Sequence, residues 1–429
     1  TAAQADAIAD VTSGVVTATI DADTAAALNA ALVDSGSQVN AYNLTINGTT
    51  ATASEITNLD NKTSGNITLS GTSMTITVAS GETLNLSGVT NSLSGTLTIN
   101  DSTGDNNIKG TSANDTLNLS SGNDTINLGN GNDTINVTNM SDLTSADTIT
   151  DTSGIDTLNI NGNGTIASSD FNVSGFEYLN LSTGADVVTF TDKSSFDTFK
   201  SKFSSAVDTK GGDDEFKFSS AITEDLDFTK ISNLEKLSFS ENNDIVTFGS
   251  DEFNAGIKTL DLGNGQNKAY LNADTTSSVQ VNGGSGNDEF VLDFTRIEQG
   301  DYKVNGGSGE DKVNITGTSS SISIDTKIFG AGAFDNIEAL DLTGATFGST
   351  VGADNDFEYL ITGSLINSWT NNDSNNGSLK LKLDADAASR FEFTNNSGTK
   401  YGGDDSGTTA ITNGSYTLDN GATLIVDGL

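Results

Sequence analysis

Cysteine, proline and histidine are absent from the 429 residues, and arginine occurs only as Arg296 and Arg390. Without His and Cys there is no zinc site of imidazoles and thiolates, and no Ser-His-Asp or Cys-His nucleophile. Positive charge is scarce as well: 19 Lys and Arg face 58 Asp and Glu, a formal net charge of −39. That balance opposes nucleic acid and anionic membranes as partners and favours cations. No run of about 18 apolar residues occurs, so no transmembrane segment is expected. The chain opens at Thr1 in mid-pattern, with neither initiator Met nor leader, which points to a fragment or processed product of something longer. An acidic, polar chain can be disordered, but apolar residues recur here at strand spacing through most of its length. Gly, Thr, Asn and Ser are plentiful, as a turn-dense β structure requires.

One phrase organises the chain. From Asp105 to Val137 it runs Asp-Asn-Asn-Ile-Lys, Ala-Asn-Asp-Thr-Leu-Asn-Leu, Gly-Asn-Asp-Thr-Ile-Asn-Leu, Gly-Asn-Asp-Thr-Ile-Asn-Val. Asp115, Asp124 and Asp133 recur every nine residues, as do Ile108, Leu117, Ile126 and Ile135. Self-similarity at a fixed period marks a stacked repeat fold, and a nonapeptide of glycine, acid and one apolar residue is its β-helix form. Thr-Ile-Asn-Leu alternates polar and apolar and reads as a short strand, while Gly-Asn-Asp is turn chemistry.

If two units make one flattened coil, residues eighteen apart stack on one edge, which sets Asp115 beside Asp133 at about one strand spacing, ~4.8 Å, with Asp124 on the opposite edge. Carboxylates that close repel by about 1 kcal/mol in water and by more near a poorly solvated surface. A bare column of aspartates would push the coils apart. A divalent cation reverses the sign, and Ca²⁺ suits the task because it takes six to eight oxygens from carboxylates and turn carbonyls alike.

Two later stretches complete the pattern Gly-Gly-x-Gly-x-Asp-x-apolar-x: Gly283-Gly284-Ser285-Gly286-Asn287-Asp288-Glu289-Phe290-Val291 and Gly306-Gly307-Ser308-Gly309-Glu310-Asp311-Lys312-Val313-Asn314. The chain thereby resembles the repeats-in-toxin family, although Leu119 and Ser120 stand where two glycines belong. The resemblance implies a right-handed parallel β-roll with several Ca²⁺ ions held in the turns by the aspartate and by backbone carbonyls around the glycines. Carried onto this sequence, the ligand positions are Asp115, Asn123, Asp124, Gly131, Asn132, Asp133, Gly284, Gly286, Asp288, Gly307, Gly309 and Asp311. At Asp156, Asp186, Asp214 and Asp244 the glycine pattern is incomplete, and calcium or a simple Asx turn are both open. Asn267 replaces the acid and is expected to be structural only.

The rest of the chain divides around these motifs. Residues 1–100 hold a tandem β-rich repeat, Thr1–Thr17 aligning with Thr52–Thr68 at an offset of 51, each copy starting with a capping-box spacing. Short helices are expected there and over Asp23–Leu32, with strands at Asn43–Ile46, Ile67–Leu69, Met74–Val78, Thr83–Leu86 and Thr96–Ile99. Residues 101–170 are the nonapeptide roll, with Met140–Thr150 bulging out. In 171–348 the rungs widen: Asp244, Asn267, Asp288 and Asp311 follow at 23, 21 and 23 residues. Lys193–Ser205, with Phe196, Phe199 and Phe203 at helical spacing, and Ile222–Lys230 are expected to lie over the side as helices. Residues 349–429 form a β-rich cap, with Trp369, an Asn-rich loop at Asn371–Asn376 and a terminal strand, Ala422–Leu429, that could pair with a neighbouring molecule. The fold class is therefore all-β with a few short helices: a parallel β-solenoid preceded by small repeats and followed by a cap.

Three functions compete. The first is a secreted bacterial surface-layer or extracellular-matrix protein that folds and self-associates with Ca²⁺; the chain is similar to calcium-dependent surface-layer proteins carrying such repeats. Its partner would be further copies of itself, and any tie to cell-surface polysaccharide would run through a region outside this chain. The second is the stalk or C-terminal segment of a large adhesin. The third is a β-helix enzyme acting on polysaccharide, which the shortage of basic residues beside the acids disfavours.

Overall fold

The computed structural model describes residues 1–33, 39–293, 296, 301–319, 333–347, 359–370, 378–383, 391–402, 409–418 and 421–429. It divides into two compact units, Thr1–Val188 with Ser194–Asp214 and Lys230–Ser232, and Thr189–Lys193 with Glu215–Thr229 and Asn233–Leu429. Both are parallel β-rolls, and no helix among the described residues is long and apolar enough to cross a membrane.

In the first unit, helices Ala2–Ala9 and Ala53–Lys62 begin with the two capping boxes, Thr1 with Gln4 and Thr52 with Glu55. Each satisfies two backbone N–H groups that the first turn leaves unbonded. A four-stranded parallel sheet follows: Thr17–Thr19, Ala41–Ile46, Ile67–Gly71 and Val89–Leu93. A nine-stranded sheet stacks Thr50–Thr52, Met74–Thr77, Leu97–Asn100, Asp115–Leu119, Thr134–Val137, Thr157–Ile160, Phe176–Asn180, Phe203–Asp208 and Ile231–Ser232 in chain order. A five-stranded sheet takes the alternate strands, Thr83–Asn85, Asn107–Lys109, Thr125–Asn127, Thr148–Thr150 and Val173–Ser174.

Register follows from the alternation. Leu117 pairs with Ile135 and Ile135 with Leu158, and all three are buried. A slip of one residue would turn that column outward. On the other face Asn118 donates its side-chain amide to Asn100 (2.7 Å), Asn136 to Asn118 (3.1 Å), Asn159 to Asn136 (3.0 Å) and Asn180 to Asn159 (2.8 Å). Parallel in-register stacking puts identical amides one strand apart, where donor meets acceptor.

Two expectations for this unit need correction. Met140–Thr150 is not all insertion: after a single 3₁₀ turn at Met140–Asp142, Thr148–Thr150 is a full rung, because Asp147-Thr148-Ile149 repeats the core phrase and Ile149 is buried. The helix from Lys193 stops at Ser201, and Phe203 starts a strand instead. Both solutions bury the rings, since Phe199 and Phe203 lie edge-on to Phe171 at centroid distances of 5.0 and 6.2 Å.

In the second unit one parallel layer comprises Glu215–Phe218, Lys236–Ser238, Thr259–Asp261, Val279–Asn282, Tyr302–Asn305 and Phe334–Asp335. An eight-stranded sheet holds Ile245–Phe248, Lys268–Leu271, Glu289–Asp293, Lys312–Ser319, Ala339–Phe347, Ser378–Lys382, Thr423–Asp427 and Gly414–Thr417. Ile222–Lys230 holds no helix; Ile222, Leu226 and Phe228 bury their side chains from irregular backbone. The terminal strand is not an edge. Thr423–Asp427 pairs in parallel with Ser378–Lys382 and antiparallel with Gly414–Thr417, so both of its sides are taken. The Asn-rich loop lies outside the described residues.

Ile135 sits at the centre of its column and is fully buried. Ile135→Ala is expected to lower the stability of calcium-saturated protein by about 2–5 kcal/mol, read from the urea midpoint; a change under about 0.5 kcal/mol would contradict the register.

Candidate metal centres in the turns

Each nonapeptide turn brings its sixth residue to the inner wall of the coil, where the aspartate is buried. One carboxylate oxygen reaches along the stack and accepts a backbone N–H from the equivalent residue of the preceding coil. On one edge Asp115 N–H donates to Asp133 (2.7 Å), Asp133 N–H to Asp156 (2.7 Å) and Asp156 N–H to Glu177 (2.8 Å). On the opposite edge Asn106 N–H donates to Asp124 (2.8 Å) and Asp124 N–H to Asp147 (2.8 Å). Further along the same unit, Gly164 and Asp186 donate to Asp186 and Asp214, at 3.2 and 2.8 Å. In the second unit the ladder runs from Asp244 to Asn267 (2.9 Å), Asn267 to Asp288 (2.8 Å), Asp288 to Asp311 (2.8 Å) and Asp311 to Glu338 (2.9 Å).

The second oxygen separates the turns into two kinds. In Asp124, Asp133, Asp156, Asp288 and Asp311, Oδ2 is buried and has no hydrogen-bond partner. In Asp115, Asp186 and Asp244 that oxygen is used inside the turn. Thr111 donates its N–H to Asp115 at 2.6 Å, and the hydroxyls of Ser182 and Ser240 reach Asp186 (2.8 Å) and Asp244 (3.0 Å). Each of these partners is the second residue of its nonapeptide, where the motif has Gly. In these three turns the aspartate is closed on itself, whereas Ser120 and Thr152, at the same position before Asp124 and Asp156, leave Oδ2 unpartnered.

Burial leaves six of the ladder aspartates hard to ionise. Loss of hydration raises Asp124 and Asp133 to about 7 and Asp115 and Asp288 to about 6, and it moves Asp244 and Asp311 in the same direction. For Asp133 the charges of Asp115 and Asp156 add to the effect. An unpaired, desolvated carboxylate oxygen costs several kcal/mol unless a proton or a cation meets it. Ca²⁺ fits this donor set, being hard, oxygen-seeking and tolerant of irregular geometry. The Oδ2 atoms of Asp124, Asp133, Asp156, Asp288 and Asp311 would hold it, together with backbone carbonyls of the glycine turns.

Those carbonyls come close because the glycines stack. At Gly286, with φ of 123°, a Cβ would overlap the carbonyl oxygen of Gly265, and at Gly309 one would overlap that of Gly286. Gly284 and Gly307 form a second such column, and Gly131 stacks on Ala113. Asn123 and Asn132 fall elsewhere: both are exposed, and Oδ1 of Asn132 accepts the Ile155 N–H at 3.0 Å in an outer row parallel to the aspartates. Asn267 keeps the ladder as an amide, its NH₂ lying 3.4 Å from the Gly283 carbonyl.

Residues 101–135 match the family of RTX calcium-binding nonapeptide repeats in 4 copies. These are RTX calcium-binding repeats. The match ends before the complete motifs at Asp288 and Asp311, which occur once per wide coil and not in tandem. No curated protein and no solved structure matches the chain. Asp147, Glu177 and Glu338 are ladder residues that the RTX pattern does not mark. Asp147-Thr148-Ile149 carried a usable signal, whereas Glu177 and Glu338 sit in strand phrases that read as outward-facing positions.

Two outcomes follow from this geometry. Unfolded aspartate ionises near pH 3.9, whereas Asp115, Asp124, Asp133 and Asp288 hold protons up to about pH 6–7. Between those limits the folded state binds more protons, so metal-free protein should lose stability as pH rises through this window. Melting in chelator at pH 5 and pH 8 checks it, and a higher Tm at pH 8 would contradict it. Gly286→Ala, which forces a side chain into the Gly265 carbonyl at positive φ, should cost about 1–3 kcal/mol in calcium-saturated protein by the same measurement.

Proposed function

We propose that this chain is a secreted bacterial structural protein, a surface-layer or extracellular-matrix subunit, that folds on binding several Ca²⁺ ions and then associates with further copies of itself. The observation that carries the reading is the row of buried, unpartnered Oδ2 atoms at Asp124, Asp133, Asp156, Asp288 and Asp311. Metal-free, the coils confront one another with desolvated acid; with calcium, the same oxygens bind the rungs together, so binding free energy becomes folding free energy. Calcium is abundant outside cells, which confines folding to the exported chain. A net charge of −39 keeps metal-free molecules apart, and bound cations reduce that repulsion. The formula contains no catalytic step.

A second reading, the stalk of a large adhesin, draws on one observation: Thr423–Asp427 has both sides paired and offers no free edge to a neighbour. A stalk needs calcium for rigidity but no lattice. Circular dichroism and electron microscopy on the full chain, with and without chelator, separate the two. The expected result is a gain of β signal on adding millimolar CaCl₂, with sheets or filaments on the grid. Ordered but monomeric particles favour the stalk, and unchanged β content would remove the calcium-folding reading.

A further inference from the structure

Most RTX turns place Gly or an apolar residue at the first position of the nonapeptide, as in Gly110, Leu119, Leu128, Gly283 and Gly306. Aspartate stands there as Asp101, Asp142 and Asp151, and Asp142 takes the Asn139 N–H at 3.2 Å. Asp101 is fully engaged, one oxygen accepting the Asn106 side-chain amide (2.7 Å) and the other the Ser120 N–H (3.1 Å). Asp151 is not. Its Oδ1 accepts the Thr152 N–H at 2.8 Å, and its Oδ2 is buried without a partner.

That oxygen points to company of the same kind. Carboxylate oxygens of Asp133, Asp151 and Asp156 lie within 4.8 Å of one another. Asp133 and Asp156 are 1% and 0% exposed, and each has spent Oδ1 on the ladder and kept Oδ2 unpartnered. These carboxylates, two buried and one half-buried, repel pairwise by about 1 kcal/mol at this separation, and no cationic side chain is paired with them among the described ion pairs. Two ligands on one Ca²⁺, at 2.3–2.6 Å each, can be at most about 5 Å apart, so the three oxygens fit a single ion.

We propose that Asp133, Asp151 and Asp156 form a three-carboxylate calcium site that binds more tightly than the other RTX turns and fills first. It rests on the reading that the turns hold calcium, and it assigns to Asp151 a ligand role that the nonapeptide pattern leaves to glycine. Affinity in oxygen-ligand sites rises with the number of carboxylates, so one site in the stack stands apart. First occupancy there would order the coils that flank it, Asp133 and Asp156 belonging to consecutive rungs.

The test is calorimetric titration of chelator-stripped full-length protein with CaCl₂, using a competing chelator to resolve the tight end. Wild type is expected to show one site at least about 10-fold tighter than the rest. Asp151→Asn and Asp151→Gly should each abolish that class while the weaker sites persist; the glycine variant restores the motif's own residue and covers the case in which the amide disturbs the turn. Asp60→Asn, on an exposed helix position, should titrate as wild type. Unaltered tight binding in both Asp151 variants overturns the proposal while leaving the calcium reading intact. Absence of any calcium binding by wild type removes both.

Discussion

A carboxylate has two oxygens, and in these turns they serve opposite ends. One accepts the backbone N–H of the coil before it. Turn backbone on the inner wall has no strand partner, and a buried N–H without an acceptor is costly, so the aspartate supplies what the sheet cannot. The bond is charge-assisted and short, and it fixes coil-to-coil register at each edge. The remaining oxygen carries the negative charge into a place water does not reach. Satisfying the backbone in this way creates the demand for a cation.

That demand is graded along each stack. Where the second residue of the turn is Thr111, Ser182 or Ser240, a hydroxyl or N–H within the same turn takes the spare oxygen of Asp115, Asp186 or Asp244. Where it is Gly129, Gly284 or Gly307, no side chain can do so, and Oδ2 of Asp133, Asp288 or Asp311 stays unpartnered. Glycine there lets carbonyls approach and offers no competing side-chain donor, but a hydroxyl is not sufficient to close the turn: Ser120 and Thr152 leave Oδ2 of Asp124 and Asp156 unpartnered. Asn267 is the neutral limit, carrying the ladder bond without charge.

Much of this was legible in the residues. The nine-residue interval placed Asp115 over Asp133 with Asp124 opposite, and the spacings of 23, 21 and 23 among Asp244, Asn267, Asp288 and Asp311 are the observed rungs. What escaped has a common cause. Phe196, Phe199 and Phe203 suit one helix face equally well as a helix followed by a strand, because both bury the same rings. The terminal strand reads as an edge until the preceding strand Gly414–Thr417 is found beside it. Nor does a local pattern show whether an aspartate has one oxygen to spare: Ser182 closes Asp186, while Thr152, at the same position, leaves Oδ2 of Asp156 open.

A ladder built on such residues must also stop, and the ladders that run through Asp133 and Asp124 show how. On one edge the last acceptor is Glu177: Oε2 takes the Asp156 N–H and Oε1 takes the Ser204 hydroxyl at 3.1 Å. On the other it is Asp147, with Oδ1 on the Asp124 N–H and Oδ2 on the Thr144 N–H at 2.7 Å. Both terminal carboxylates use both oxygens, so neither asks for a cation beyond the last rung. The first edge replaces the motif residue by a longer side chain from a strand; the second keeps aspartate and adds a capping Thr three residues earlier. Either device converts an open acidic column into one of fixed length, and the number of cations the roll needs is thus set by where the spare oxygens are left and where they are withdrawn.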